Sequence, residues 1–331
     1  MIVRPASSDE TWCVRESGVD LDALAHSESV FSLSNGHLGL RGNLDEGDPY
    51  GLPGTYLNGL HELRPLPYAE AGYGYPESGQ SVINVTNGKV FRLLVDDEPF
   101  DVRYGRLVSH ERSLDLRAGT LTRELTWESP AGQGLRLRTV RLVSFAQRAV
   151  AAISYEVEVL DDKARVVVQS ELVANEPLPQ GQADPRAAAV LESPLISESH
   201  SCRRDTACEL VHRTSRSELR LAAAMDHLVD GPEATDVSAE CEPDTGRVTV
   251  TTVLEPGQRL RIVKLLAYGW SSLRSKQALR DQVLAALTAA AHTGWDGLVA
   301  EQRDYLQQFW DHSAVEVDGN AEIEQAARYA L

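Results

Sequence analysis

The sequence predicts a mainly β protein, built as a large two-sheet antiparallel β-sandwich. Three observations carry that reading. Strand-like runs with period-2 alternation recur from about residue 30 to residue 269, turn signals separate them at short intervals, and no long helical pattern is interleaved. Some fifteen short strands are expected, followed after Gly269 by a change to helical texture.

Taken in chain order, the first notable stretch is "SVFSLSNGHLGLRGN", residues 29–43, with Gly36, Gly39 and Gly42 around His37 and Arg41. Its G-x-x-G-x-x-G spacing is neither the dinucleotide fingerprint nor a P-loop with its Lys-Ser/Thr. The first reading is turn chemistry, in which Asn35-Gly36 turns one strand into the next and Gly39 and Gly42 let backbones approach closely. The second is that Asn35, His37 and Arg41 face a sugar-bearing domain and shape its entrance.

Residues 60–80, "LHELRPLPYAEAGYGYPESGQ", have no period and are rich in Pro, Gly and Tyr. A loop of this length in a compact domain is unusual and often functional. Tyr68, Tyr73 and Tyr75 are substrate-binding candidates there, because a tyrosine offers a pyranose an apolar face and a hydroxyl. The alternative is that the loop folds them onto the sandwich or onto a partner subunit. "HELRP" at His61 resembles the start of a zinc-protease motif, but Pro65 would break the helix that must carry both ligands. The histidines show no i, i+4 pair, so no metal site is expected.

"VINVTNGKVFRLLV" places Asn87-Gly88 between two apolar arms and predicts a hairpin. "LDLRAGTLTREL" does the same around Ala118-Gly119, and "ISYEVEVL" sets Ile153, Tyr155, Val157 and Val159 on one face. The carboxylates of "NLDEGD" (Asp45, Glu46, Asp48) and "VDDEP" (Asp96, Asp97, Glu98) fall at expected turns and read as solvated. Residues 175–189 read as a surface excursion. After Gly269, Ser271 and Ser272 are N-cap candidates for a helix with Leu279, Val283, Leu287 and Ala291 at helical spacing, stopping at Gly294. A second helix is expected over roughly Asp296–Asp311, with Phe309 and Trp310 needing cover, and Asn320 caps a third. That helix meets Leu331 with no C-cap or stop glycine, as a fragment would.

Composition narrows the function. The 331 residues suggest about two domains, 42% hydrophobic content suffices for a sizeable core, and 24% charged residues is ordinary for a soluble chain. A net charge of −17 with scattered arginines repels nucleic acid and anionic membranes. Four cysteines (Cys13, Cys202, Cys208, Cys241) lie apart in sequence with no CxxC pair, and the N-terminus lacks an apolar signal core. A reduced, cytoplasmic protein without nucleic-acid or membrane partners is expected.

The ordered set "ESVFSLSNGHLGLRGNLDE" (28–46), "GTYLNGL" (54–60), "LVDDEPFDV" (94–102), residues 112–145 and "WDHSAVEVDGNAEIEQAARYAL" (310–331) resembles the N-terminal region of glycoside hydrolase family 65. That family includes maltose, trehalose, kojibiose and nigerose phosphorylases and related α-glucosidases. The resemblance implies a galactose-mutarotase-like super-sandwich over 1–269, a helical linker over 270–313, and the truncated start of an (α/α)6 catalytic barrel over 314–331. It also implies an inverting reaction on an α-linked glucose disaccharide. A barrel glutamic acid protonates the leaving oxygen, and inorganic phosphate (the co-substrate, with no other cofactor) or water attacks from the opposite face. No position here matches the family's general acid, so no catalytic residue is carried over and the region alone is expected to be inactive. The implied partners are its own catalytic barrel, the disaccharide and a second copy in a homodimer. Two other functions fit the texture: a stand-alone carbohydrate-binding sandwich, and an enzyme resembling the aldose mutarotases.

Overall fold

The structure, a computed structural model, describes residues 1–5, 8–65, 74, 76, 78–177 and 193–331; Tyr68, Tyr73 and Tyr75 lie outside them. Nine short strands come first: β1 (Ile2–Val3), β2 (Cys13–Ser17), β3 (Leu33–Ser34), β4 (Leu38–Leu40), β5 (Thr55–Leu57), β6 (His61–Pro65), β7 (Ser78–Val82), β8 (Phe91–Val95) and β9 (Glu98–Pro99). Longer ones follow: β10 (Arg106–Asp115), β11 (Thr120–Glu128), β12 (Gly134–Val143), β13 (Val150–Val159) and β14 (Ala164–Val173). The last six are β15 (Leu195–Arg203), β16 (Ala207–Thr214), β17 (Arg220–Asp230), β18 (Asp236–Glu242), β19 (Thr245–Leu254) and β20 (Arg259–Ser271). Three α-helices accompany them: α1 (Leu24–Val30), α2 (Lys276–Ser313) and α3 (Ala321–Ala330).

These strands make the expected antiparallel sandwich. One sheet has ten strands in the order β1-β2-β10-β11-β12-β13-β20-β17-β16-β15, and the facing sheet has five, β18-β19-β14-β8-β9. Smaller sheets, β3-β4-β5 and β6-β7, sit beside them. Alternation decides which side chains enter the core. On β13, Ile153, Tyr155, Val157 and Val159 are fully buried between the sheets, as their spacing predicts. Tyr155 stacks on Phe91 of the facing sheet, with centroids 4.6 Å apart. The opposite parity on the large sheet is also apolar where α2 covers it: Leu142, Val150, Ala152, Val263 and Leu265 meet Leu279, Val283 and Leu287. Gly269 permits that approach, since a Cβ there would lie 2.9 Å from Val283.

Several local expectations are corrected. Asn87-Gly88 is not a hairpin turn: Asn87 forms an isolated bridge with Val173, and its carboxamide bonds Lys89 N and Glu176 instead. The cap of α2 is Ser275, which accepts from Ala278 N, because β20 continues through Ser271. Gly294 does leave helical geometry (φ 69°, ψ 173°), but the chain kinks there and both expected helices join in one 38-residue element. Trp310 is already covered, packed edge-on against Trp12 at 5.0 Å with its indole N–H on Leu116 O, while Phe309 stays 37% exposed. Asn320 caps α3 as expected, accepting from Ile323 N at 3.1 Å.

Two lysines are buried in the sandwich. Lys264 Nζ donates to Glu171 O at 2.8 Å, tying the two sheets together, and Lys89 Nζ donates to Thr55 Oγ1 at 2.7 Å. Burial pushes each ammonium from 10.5 down to about 7. Between those values the unfolded chain binds protons that the folded chain does not, so stability rises with pH from about 7 to 10.5. Replacing Lys264 by Met should flatten that rise, by at most about 1.4 kcal/mol per pH unit. Urea midpoints of both proteins across this range check it; parallel curves would refute the assignment.

Candidate functional site

The glycine-rich stretch folds into β3, β4 and the turn between them. Asn35 organises the turn: its Oδ1 accepts from His37 N (2.9 Å) and Leu38 N (2.8 Å), and its Nδ2 donates to Ser144 O (2.6 Å) and Arg148 O (2.9 Å). Gly36 supplies the positive φ of 79° that the turn requires. Gly42 supplies close approach, since a Cβ there would lie 2.6 Å from Phe31 O. With β5 alongside, these residues border a surface hollow of about 470 Å³ that includes Ser32, Ser34, His37, Tyr56, Asn58 and Val82.

The three candidates at this loop divide. Asn35 is consumed by the turn. Arg41 is pinned, its Nε 3.2 Å from Glu28 and its guanidinium bonded to Ala25 O. Glu28 is itself fully buried and accepts from Gly51 N and Leu52 N. His37 alone presents a half-buried titratable ring to the hollow; burial, then the nearby Arg148, holds it below 6.5, so at neutral pH it is an uncharged donor and acceptor. Tyr56, 38% exposed, adds an amphipathic ring that was not expected from the sequence.

Beneath the loop lies a set of buried charges. Asp45 and Glu46, read from sequence as solvated, are 2% and 5% exposed. Glu46 clasps Arg123 through both oxygens (2.7 and 2.8 Å), and Asp45 accepts from Arg141 (2.7 Å) and Thr139 (2.9 Å). Burial alone would raise the Asp45 pKa, but Arg141 and Arg123 outweigh it and hold the carboxyl below the usual range. Next to them Arg112 pairs with Glu16, which also takes a hydrogen bond from Ser27. His110 accepts from Arg123 Nε at 2.9 Å, and burial followed by Arg123 and Arg112 pushes it down to about 2. The sequence did hold a signal for this network: Arg112, Arg123 and Arg141 share the parity of Leu114, Leu121 and Val143, so their strands aim them into the core.

Other motifs resolve as structure. Glu62 of "HELRP" lies on a strand and accepts from Arg216 N, Ser217 N and Ser215 Oγ, bracing the β16–β17 turn. His212 and Asp244 form a histidine–carboxylate pair at 2.9 Å, but His212 is fully buried and the two groups bond each other, leaving no gap for a sugar ring between them. Among the described residues no group of three His, Cys, Asp or Glu could hold a metal ion, and no helix is long and apolar enough to cross a membrane. The cysteines, separate in sequence, are not all separate in space: Cys202, Cys208 and Cys241 meet.

Residues 14–309 match the family model described as glycosyl hydrolase family 65, N-terminal domain. The chain belongs to glycosyl hydrolase family 65. Over all 331 residues it is 58% identical to an uncharacterized glycosyl hydrolase of Mycobacterium tuberculosis, spanning 42% of that protein. It is 28% identical over 332 residues to the alpha,alpha-trehalose phosphorylase of Thermoanaerobacter brockii, covering 98% of this chain and 43% of that one. A solved structure provisionally assigned as a kojibiose phosphorylase from the human microbiome shares the fold, with a TM-score of 0.87 and 21% identity, over 99% of this chain and 42% of the other. The family 65 chain thus spans less than half the length of these relatives, and aligns with them almost end to end.

Replacing Asp45 by Asn should leave Arg141 and Arg123 short of a buried counter-charge and destabilise the fold by about 3–5 kcal/mol. Urea denaturation checks this; a loss below about 1 kcal/mol would mean that the network is solvated after all.

Proposed function

We propose that this chain is the non-catalytic N-terminal region of a cytoplasmic inverting α-glucoside phosphorylase, positioned to buttress a catalytic barrel and to line its mouth. The observation that supports this most is the near-complete alignment with proteins more than twice as long, several of them phosphorylases. In this reading α3 opens the barrel, whose remaining helices cover the exposed Ile323 and Phe309. The substrate is an α-linked glucose disaccharide. A carboxylic acid of the barrel protonates the leaving oxygen and phosphate attacks the anomeric carbon from the opposite face, releasing β-glucose 1-phosphate. Phosphate carries its own negative charge, so the attack needs no protein base to generate the nucleophile.

Within that enzyme the hollow beside β3–β5 faces the barrel. Neutral His37 and the ring of Tyr56 have the chemistry to hold a sugar hydroxyl or a barrel loop. Net charge also fits a small polar substrate better than a polyanion. The sandwich supports a homodimer in the same reading.

The experiment is an assay of the full-length enzyme with maltose, trehalose, kojibiose and nigerose, with and without phosphate. β-Glucose 1-phosphate formed only when phosphate is present is the expected result; free glucose formed at the same rate without phosphate would overturn phosphorolysis in favour of hydrolysis. His37→Ala should lower kcat/KM for the preferred disaccharide by up to about tenfold, the worth of one neutral hydrogen bond, with no change in Tm. An unaltered kcat/KM would remove the hollow from the active-site mouth.

A further inference from the structure

The three gathered cysteines stand outside the site above. Cys202 and Cys208 are directly opposed on the β15–β16 hairpin, across the tight turn Arg204–Thr206. Their sulfurs are 2.7 Å apart. Cys241 reaches the same point from β18 in the facing sheet and lies beside Cys202. Gly246, its partner across β18–β19, makes room for the cluster, because a Cβ there would lie 3.0 Å from Cys208 Cβ. All four cysteines are reduced. Directly opposed residues of an antiparallel pair have Cα separations that a disulfide spans without backbone movement.

We propose that Cys202, Cys208 and Cys241 are a thiol oxidation site, in which Cys202 is the central sulfur and forms a reversible disulfide with Cys208. The oxidant is a hydroperoxide or a small disulfide. With a hydroperoxide, the sulfur of partly buried Cys202 takes the distal oxygen to become a sulfenic acid and an alcohol (or water) departs. Cys208 sulfur then attacks Cys202 sulfur, the S–O bond breaks and water leaves; two thiols have lost two electrons and two protons to the peroxide. With a small disulfide, Cys202 first forms a mixed disulfide and Cys208 displaces the small thiol. Cys241 is the third exchange partner, able to move the bond from the hairpin to a link between sheets.

Burial holds the thiols well above their usual 9.0, Cys202 and Cys241 at about 12 and Cys208 at about 11. Thiolate is the attacking species, so oxidation by a small disulfide is slow at neutral pH and accelerates about tenfold per pH unit up to about pH 10. The nearby Glu240 adds to the upward shift on Cys202.

The test uses the whole reduced chain, treated with hydrogen peroxide in one arm and oxidised glutathione in the other, then alkylated and mapped by mass spectrometry. A peptide linking Cys202 to Cys208, reversed by dithiothreitol, with Cys13 still fully alkylated, is expected in both arms. Cys208→Ser should redirect the link to Cys202–Cys241, and Cys202→Ser should abolish both. Sulfinic acids without any linked peptide, a link through Cys13, or a glutathione rate flat between pH 7 and 9 would overturn the proposal. Mapping of the unmodified sequence decides the matter even if a variant fails to fold.

Discussion

Arginine–carboxylate pairing inside the sandwich is the constraint on which the rest of this structure depends. Arg41, Arg112, Arg123 and Arg141 each leave water and each meets a carboxylate: Glu28, Glu16, Glu46 and Asp45. Taking such charges out of water is tolerable only when geometry and additional hydrogen bonds compensate. That condition specifies position. An apolar contact tolerates sliding, whereas a guanidinium clasped by two carboxylate oxygens does not. The segment from Glu28 to Leu52 docks through buried Phe31, Leu33, Leu38, Leu40 and Leu44, and the ion pairs fix its position against the inner face of the large sheet. His37 owes its place above the hollow to that attachment.

This arrangement gives the interior two characters. Around Trp127, Tyr155 and Phe91 the sandwich is apolar and close-packed, and Phe100 meets Trp127 edge-on at 5.2 Å. Around Asp45 it is ionic. Lys264 and Lys89 lie near the boundary and satisfy themselves on carbonyl and hydroxyl oxygens rather than on carboxylates. The apolar part supplies cohesion, to which Phe31, Leu38 and Leu40 of the loop contribute, and the ionic part sets the loop's register.

The sandwich was legible in the sequence because alternation is a local property: the parity of Ile153, Tyr155 and Val157 is sufficient to assign their face. Turn chemistry was legible at Gly119, which has the positive φ of a hairpin connection, and misleading at Asn87-Gly88, where long-range bonds to Glu176 and Val173 override the local preference. The site was less legible because its parts are joined across the fold. Nothing near Asp45 in sequence announces Arg123 or Arg141, and nothing near Cys202 announces Cys241. The family resemblance reached the right architecture through the order of its motifs, while the roles of Asn35 and Arg41 depended on partners more than a dozen residues away.

The order of strands in the large sheet also dictates when it can be completed. β20 lies between β13 and β17 and is hydrogen-bonded to both along most of its length. Until residues 259–271 have been synthesised, the half containing β10–β13 and the half containing β15–β17 are separate ribbons, each with an open edge where the keystone belongs. At the usual pace of translation the edge of β13 waits roughly 6–24 s for its partner. Unpaired edges of apolar strands recruit other strands, so this interval, rather than the stability of the finished sandwich, is when a nascent chain of this topology is most exposed to pairing with its neighbours on a polysome.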